Sequence, residues 1–249
     1  MSFNILRDLR DEPAWAWPRR RGLVVEVIRD RQPDVIAFQE VAPDMRRDLM
    51  RELPEYHWAP RETDARHDRP LYVGDVAYRH EALELEAHEL IVSEPGAAGD
   101  DGWPLSRWPA IYGGTRARLR AKHADGPALL LWSVHLPHQS APLRQHYADR
   151  LLEAWRPCRA DGTRFVVAGD FNDRAGSPMH QHLLTDTGLA DAQVHRAERG
   201  PDWIVVGGDA EVTERAVVDL ERGGVRASDH PALFAHLRWM EIGGARQPG

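Results

Sequence analysis

The chain has one cysteine, Cys158, so no disulfide can form within it, and a zinc site built on several cysteine thiolates is ruled out. It also lacks any run of about 18 apolar residues, the length a helix needs to cross a bilayer. The opening MSFNILRDLRDEP mixes both signs of charge and has none of the basic, apolar and small-residue sections of a secretory signal, so a cytoplasmic protein is expected. An excess of positive charge is missing too. With 39 acids against 32 bases the formal net charge is −7, whereas sequence-blind binding of duplex nucleic acid rests on cations that neutralise phosphates. No repeat, low-complexity block or long linker divides the chain. The expected organisation is therefore one domain over 1–240 and a disordered tail over 241–249.

What is present is a succession of short periodic segments. Residues 20–31 carry Leu23, Val24, Val27 and Ile28 at the spacing of one helical face, and Pro33 closes that segment. Val35 to Phe38 read as a buried strand running into Gln39 and Glu40, and 43–53 as a second helix with Met45, Leu49 and Met50 as its apolar stripe. From about residue 55 the apolar runs shorten and alternate with period two, at 73–79, 82–92 and 114–121. Between the last two lies 93–113, rich in Gly and Pro and bearing Trp103, Trp108 and Tyr112, which reads as a long surface loop. A strand over 128–134 ends at His135, and a helix over 143–155 puts Leu143, Tyr147, Leu151 and Leu152 on one side. Further strands are predicted through Phe165 to Val167, at 203–207, near 216–220 and at 232–239, with a capped short helix from Ser177 to Thr185. Strands paired into two sheets with helices outside them give an α/β sandwich.

The polar residues at the strand ends raise the question of chemistry. In VVAGDFND, residues 166–173, Asp170 and Asn172 have strand spacing and could face one target, yet Gly, Asp and Asn are also what turns use. Asn4 lies in the first strand, Glu40 ends the second, His135 ends a third, Asp202 stands immediately before another, and Asp229 and His230 precede the last. Singly each has an ordinary explanation as a surface acid, a turn residue or a satisfied histidine. Together they stand where strands enter or leave a sheet and their loops can converge. A phosphate ester is an anion that repels nucleophiles, so its hydrolysis needs positive charge at the non-bridging oxygens and a positioned water. The basic clusters Arg19 to Arg21, and Arg116, Arg118, Arg120 with Lys122, are expected on the solvated surface rather than against nucleic acid. His135, His138 and His146 lack the spacing of a zinc-peptidase helix, and His138 and His146 are expected at the surface.

The motifs SFNI, FQEV, SVHL, AGDFND, PDWI and SDHP, in this order and at these separations, resemble those of the endonuclease/exonuclease/phosphatase superfamily, the deoxyribonuclease-I-like fold. The resemblance runs from Ser2 to about Leu237 and implies a four-layered α/β sandwich with two packed mixed β-sheets flanked by helices. It also implies a phosphoesterase that uses Mg²⁺ and often accepts Mn²⁺. On that resemblance Glu40 is the metal-holding glutamate, Asn4 contacts metal or phosphate beside it, and Asp229 is a second metal or water contact. Asp170 orients or deprotonates the attacking water, and Asn172 holds a phosphoryl oxygen. His230 stands over the scissile phosphate with Asp202 fixing its orientation and charge, and His135 is a phosphate contact. The pattern departs at Leu6, where DNA-repair members often carry an aspartate. With the negative net charge and the tryptophan-rich loop, that departure favours a small or partly apolar phosphodiester or phosphomonoester, contacted by Trp103 and Trp108, over a nuclease substrate. A non-catalytic binding protein on the same scaffold is the third reading, disfavoured because Glu40, Asp170 and His230 are all in place.

Overall fold

Side chains alternate across the strands, and this sorts the apolar residues into three separate zones of packing. In the computed structural model, which describes residues 1–61, 71–92, 111–193, 200–207 and 210–239, the chain begins with β1 (Ser2–Asn4), α1 (Trp17–Arg31), β2 (Val35–Gln39) and α2 (Pro43–Glu52). Next come β3 (Tyr56–Trp58), β4 (Leu71–Val73), β5 (Asp75–Arg79), β6 (Leu83–Val92), β7 (Ile111–Ala121) and β8 (Leu129–His135). They are followed by α3 (Ala141–Asp161), β9 (Arg164–Asp170), α4 (Pro178–Leu184), β10 (Leu189–Asp191) and β11 (Asp202–Gly207). The chain closes with β12 (Ala210–Val218), a small hairpin of β13 (Glu221–Arg222) and β14 (Val225–Arg226), and β15 (Ala232–Trp239).

One sheet has the order β12-β15-β1-β2-β5-β3, and the other β10-β11-β9-β8-β7-β4 with β6 also paired to β7. Both are mixed: β1 and β2 are parallel in the first, β8 and β9 in the second, and antiparallel partners flank each pair. Ile36 and Phe38 of β2 face Val24, Ile28, Met45 and Leu49 of α1 and α2. Ala37, between them in sequence, faces the opposite way and meets Val76, Leu131, Val166 and Ile204 between the sheets. Phe165, Val167 and Trp203 turn outward from the second sheet onto Leu151, Trp155 and Leu183 of α3 and α4. Helices, sheet, sheet and helices are thus the four expected layers, each boundary made by the period-two alternation of its strands.

Several elements differ from their sequence-based outlines. Met50 is 49% exposed and leaves the apolar stripe of α2, because Met45 and Leu49, one turn apart, are the pair that faces the sheet. The third helix runs on through Pro157 to Asp161, with Trp155 and Cys158 extending its buried side. β7 begins at Ile111, inside the segment read as a loop, and β12 begins at Ala210 rather than near 216. The short strands β3, β4, β10, β13 and β14 carry too few residues for a periodicity to register. Arg20, expected at the surface, is fully buried. The stripe Arg116, Arg118 and Arg120 lies on the solvent-facing side of β7, with Arg120 exposed and the other two half-buried, and its charge is matched by Glu86 and Glu89 on the neighbouring strand. No helix among the described residues is long and apolar enough to cross a membrane.

The parallel pairs decide where chemistry can sit. Asn4 is level with Gln39, His135 with Asp170, and Asp202, at the start of an antiparallel strand, with Asp170 again. Strand ends from both sheets therefore share one rim of the sandwich. Gly169 makes the last step of β9 possible: its φ is +152°, and a Cβ there would lie 2.0 Å from the Val134 carbonyl oxygen. Gly169→Ala is expected to destabilise the fold by about 3 kcal/mol in urea unfolding, through combined strain and overpacking. A variant as stable as the parent would contradict this close approach of β8 and β9.

Candidate active site

Asn4 is fully buried at the end of β1. Its Oδ1 accepts the Leu6 amide at 3.0 Å, which fixes the side-chain orientation, and its Nδ2 donates to Glu40 Oε1 at 3.3 Å and to Asp170 Oδ2 at 3.1 Å. Glu40 directly follows β2 of the first sheet and Asp170 ends β9 of the second, so one amide connects carboxylates carried by both. The second Glu40 oxygen accepts the Arg7 amide at 3.1 Å, and the half-exposed Arg7 guanidinium stands 3.9 Å from it. Leu6, Glu40 and Asn172 have positive φ values of 52°, 60° and 49°. Such backbone is costly for residues other than glycine and is held only where the surroundings over-determine it.

Asp170 is the last residue of β9 and is 2% exposed. Its Oδ1 accepts the Asn172 amide at 2.8 Å, closing an Asx turn. Strand spacing would have carried Asn172 on in extended geometry; instead the turn swings it to donate Nδ2–H to the Leu136 carbonyl at 2.7 Å. Its amide nitrogen retains a second hydrogen. His135, buried at the end of β8, has its Nε2 3.8 Å from Asp170 Oδ2 and the Tyr112 ring edge-on at 5.2 Å. Burial lowers its pKa below the ordinary value of 6.5, against the opposing pull of Asp170 and Glu40, so at neutral pH its imidazole is uncharged.

On the other side of Asp170 stands a second histidine with the opposite tendency. His230 Nδ1 lies 2.8 Å from Asp202 Oδ2, and Asp202 is the first residue of β11 rather than the one before it. Burial works against a charged imidazole here too, but the hydrogen bond and charge of Asp202, with Asp170 and Asp229 nearby, raise its pKa to about 9. His230 is therefore a cation at neutral pH, with Nδ1–H given to Asp202. Asp170, Asp202 and His230 bring ligand atoms within 4.8 Å of one another, close enough to share an ion. Asp229 is exposed, with its Oδ1 3.2 Å from the Ser228 hydroxyl oxygen. That hydroxyl donates its one hydrogen to the Asn4 carbonyl at 2.7 Å and accepts the His230 amide at 3.2 Å, tying the entry of β15 to the exit of β1.

The structure thus gathers Asn4, Glu40, His135, Asp170, Asn172, Asp202 and His230 at one rim, with Asp229 beside them. Trp103 and Trp108 lie outside the described residues. His138 is exposed, as expected, with its Nδ1 3.4 Å from the Tyr112 hydroxyl, and His146 is exposed as well. Sequence reasoning passed over Ser228, whose position directly before Asp229 was the available signal, and Tyr112, noted only as a loop aromatic.

The family model described as "Endonuclease/Exonuclease/phosphatase family" matches residues 1–230. No curated protein matches the sequence. Among solved structures, an endonuclease/exonuclease/phosphatase from Bacteroides vulgatus is 23% identical, with 96% of this chain and 97% of that one covered and a TM-score of 0.76. The mannosyl-6-phosphatase of Bacteroides thetaiotaomicron is 17% identical over 96% of this chain and 98% of that one, with a TM-score of 0.78. D. rerio TDP2 complexed with a single-strand DNA product is 15% identical over 95% and 97%, with a TM-score of 0.72. At these identities the likeness to the solved structures is one of fold. Motifs that fall in the family's order, the matched span and the strand ends that bring those motifs to one rim together place this chain in the endonuclease/exonuclease/phosphatase family.

Proposed function

We propose that this chain is a divalent-metal-dependent phosphoesterase whose attacking water is positioned and deprotonated by Asp170. The observation that carries this reading is the Asn4 amide joining Glu40 to Asp170 beside the paired Asp202 and His230. Hard-oxygen ligands, a base and a cationic donor then occupy one small volume. The residues fit a divalent ion. Glu40, Asp170, Asp202 and the exposed Asp229 supply four carboxylates against three cations, His230, the half-exposed Arg7 and the buried Arg20, and the surplus of negative charge favours a bound cation. Mg²⁺ and Mn²⁺ suit such oxygens, and because Mg²⁺ keeps several waters, one or two carboxylates suffice. Glu40 would hold the ion, with Asn4 and Asp229 as neighbouring contacts. The trio Asp170, Asp202 and His230 suits an ion less well, since a protonated imidazole bonded to Asp202 offers it no lone pair. When bound, the ion supplies positive charge at the non-bridging oxygens of the substrate.

The chain's own groups account for the proton movements. Amide donors from Asn172 and Asn4 fix both oxygens of Asp170, so a water hydrogen-bonded to it is aimed and gives up its proton as it attacks phosphorus. The His230 cation donates from Nε2 to the charge that develops on the phosphoryl group as the ester P–O bond breaks, Asp202 holds the ring in place, and the departing oxygen leaves as an oxyanion that takes its proton from solvent. Neutral His135 and the second Nδ2–H of Asn172 donate to phosphoryl oxygens. The favoured substrate is a small or partly apolar phosphoester, with Trp103 and Trp108 as contacts. The charge distribution supports that choice: Arg116, Arg118 and Arg120 are matched by glutamates, Arg20 is buried, and Arg21 pairs with Asp48 and Glu52, so no free basic stripe forms from these clusters for a duplex to follow.

With Mg²⁺ or Mn²⁺ the purified protein is expected to hydrolyse a generic aryl phosphodiester or phosphomonoester. Chelator should abolish this, and Glu40→Ala or Asp170→Ala should each lower kcat/KM by about 1,000-fold. Turnover that persists in chelator, or in both variants, would rule the mechanism out. The histidine pair predicts the pH profile. A folded-state pKa raised to about 9 means that the cation is present below that pH and lost as pH rises through it, so activity should fall with an alkaline limb near 9. Asp202→Asn removes the hydrogen bond and charge that do most to raise the pKa and leaves burial opposed only by Asp170 and Asp229, so both the limb and the imidazole titration followed by NMR should move well below 9. An unmoved limb would exclude His230 as the cationic donor.

A further inference from the structure

We infer that Arg20 is a positioning residue, a buried guanidinium that clamps the exit of β1 to the entry of β15 and so holds Asn4, Glu40 and His230 in register. Its effect on catalysis rests on the phosphoesterase reading; the clamp itself rests on geometry alone. The side chain projects from the first turn of α1 and has no exposure to solvent. Its Nε donates to the Trp15 carbonyl at 2.7 Å. One terminal nitrogen donates to the carbonyls of Ile5 at 2.7 Å and Ala227 at 2.9 Å, and the other to those of Leu6 at 2.8 Å and Arg7 at 3.3 Å. Among the described residues every hydrogen bond of this guanidinium ends on a backbone carbonyl, and no carboxylate forms an ion pair with it. Burying a cation in this way is costly, and an apolar residue would pack against the same helix face more cheaply. Stability alone therefore accounts poorly for arginine here.

The carbonyls it takes belong to the segments that set the site. Ile5, Leu6 and Arg7 follow Asn4 directly. The Leu6 amide fixes the Asn4 side chain, and the Arg7 amide holds Glu40. Ala227 precedes Ser228, whose hydroxyl binds the Asn4 carbonyl and the His230 amide. The backbone ladder does not join these segments, since β1 and β15 pair only at Ser2 and Leu233. Beyond that register β1 and β15 are no longer paired, and the guanidinium joins Ile5 to Ala227 beside the hydrogen bond from Ser228 to the Asn4 carbonyl. The planar fork of five N–H donors can reach several carbonyls at once, whereas a lysine ammonium has three donors on one atom.

The test compares full-length Arg20→Lys and Arg20→Gln with the parent, using an aryl phosphate with Mn²⁺ and backbone hydrogen exchange followed by NMR. Arg20→Gln should lower kcat by about 100-fold with little change in KM, the effect of a small misplacement of catalytic groups, and Arg20→Lys should recover part of the loss. Exchange should quicken at Leu6, Arg7 and His230 while Val166 and Val205, in the core strands, keep their protection. Exchange that quickens uniformly would make Arg20 merely a stabilising residue, and unchanged exchange at the three amides would remove the clamp; either result overturns the inference, as does an undiminished kcat. Should Arg20→Gln fail to fold, the lysine variant carries the same comparison. A parent protein that hydrolyses no phosphoester would count against the proposed function, and the exchange data would still decide the clamp.

Discussion

Two sheets have to deliver their carboxylates to the same few ångströms, and the side chain of Asn4 is where they meet. Its amide nitrogen binds Glu40 from one sheet and Asp170 from the other, while its oxygen is held by the chain's own next turn. Among the described residues neither carboxylate is bonded to the other sheet's backbone, so this short neutral group is the direct tie between them. The strained backbone at Leu6, Glu40 and Asn172 follows from the same constraint. Each of these residues turns the chain sharply just beyond a strand, so that the side chain facing the rim is delivered there without the strand continuing past it.

The electrostatics of the rim are built from opposites. Two histidines flank Asp170; burial leaves His135 neutral, while Asp202 overcomes burial and keeps His230 charged. Environments that push like groups apart in pKa allow one pocket to present both a neutral hydrogen-bond donor and a cation at the same pH. Around the remaining carboxylates the cations are the half-exposed Arg7 and the buried Arg20, and the proposed divalent ion would balance the negative charge left over.

Much of this was legible in the sequence, and the failures have physical causes. Long periodic segments such as the stripe from Leu143 to Leu152 could be read because burial on one face imposes a period of 3.6. Strand ends were legible as places where polar residues follow apolar runs, although only the resemblance to a family assigned Asp202 to His230, since nothing local links two residues from separate strands. The direction of Asn172 stayed open in the sequence because its spacing from Asp170 suits either a strand or an Asx turn, and in the structure the turn prevails. Arg20 was invisible because its partners are backbone carbonyls, which every residue carries and no sequence pattern marks. Met50 was assigned to the wrong side of its helix for want of any sign of where the apolar stripe ends.

The zone between the sheets, where Ala37, Val76, Leu131, Val166 and Ile204 interlock, has so far figured only as one of three cores. Because Glu40 hangs from one sheet and Asp170 from the other, that zone also acts as a spacer gauge for the reacting groups. Its thickness is written in methyl groups: an alanine and a few branched chains set how far apart the two carboxylates stand. Drift in the volume of residues that never meet a substrate would retune the aperture in which the proposed ion and phosphoryl group would sit. A lineage of this fold can therefore adjust its reach at the rim by repacking its interior, with every reacting side chain left as it was.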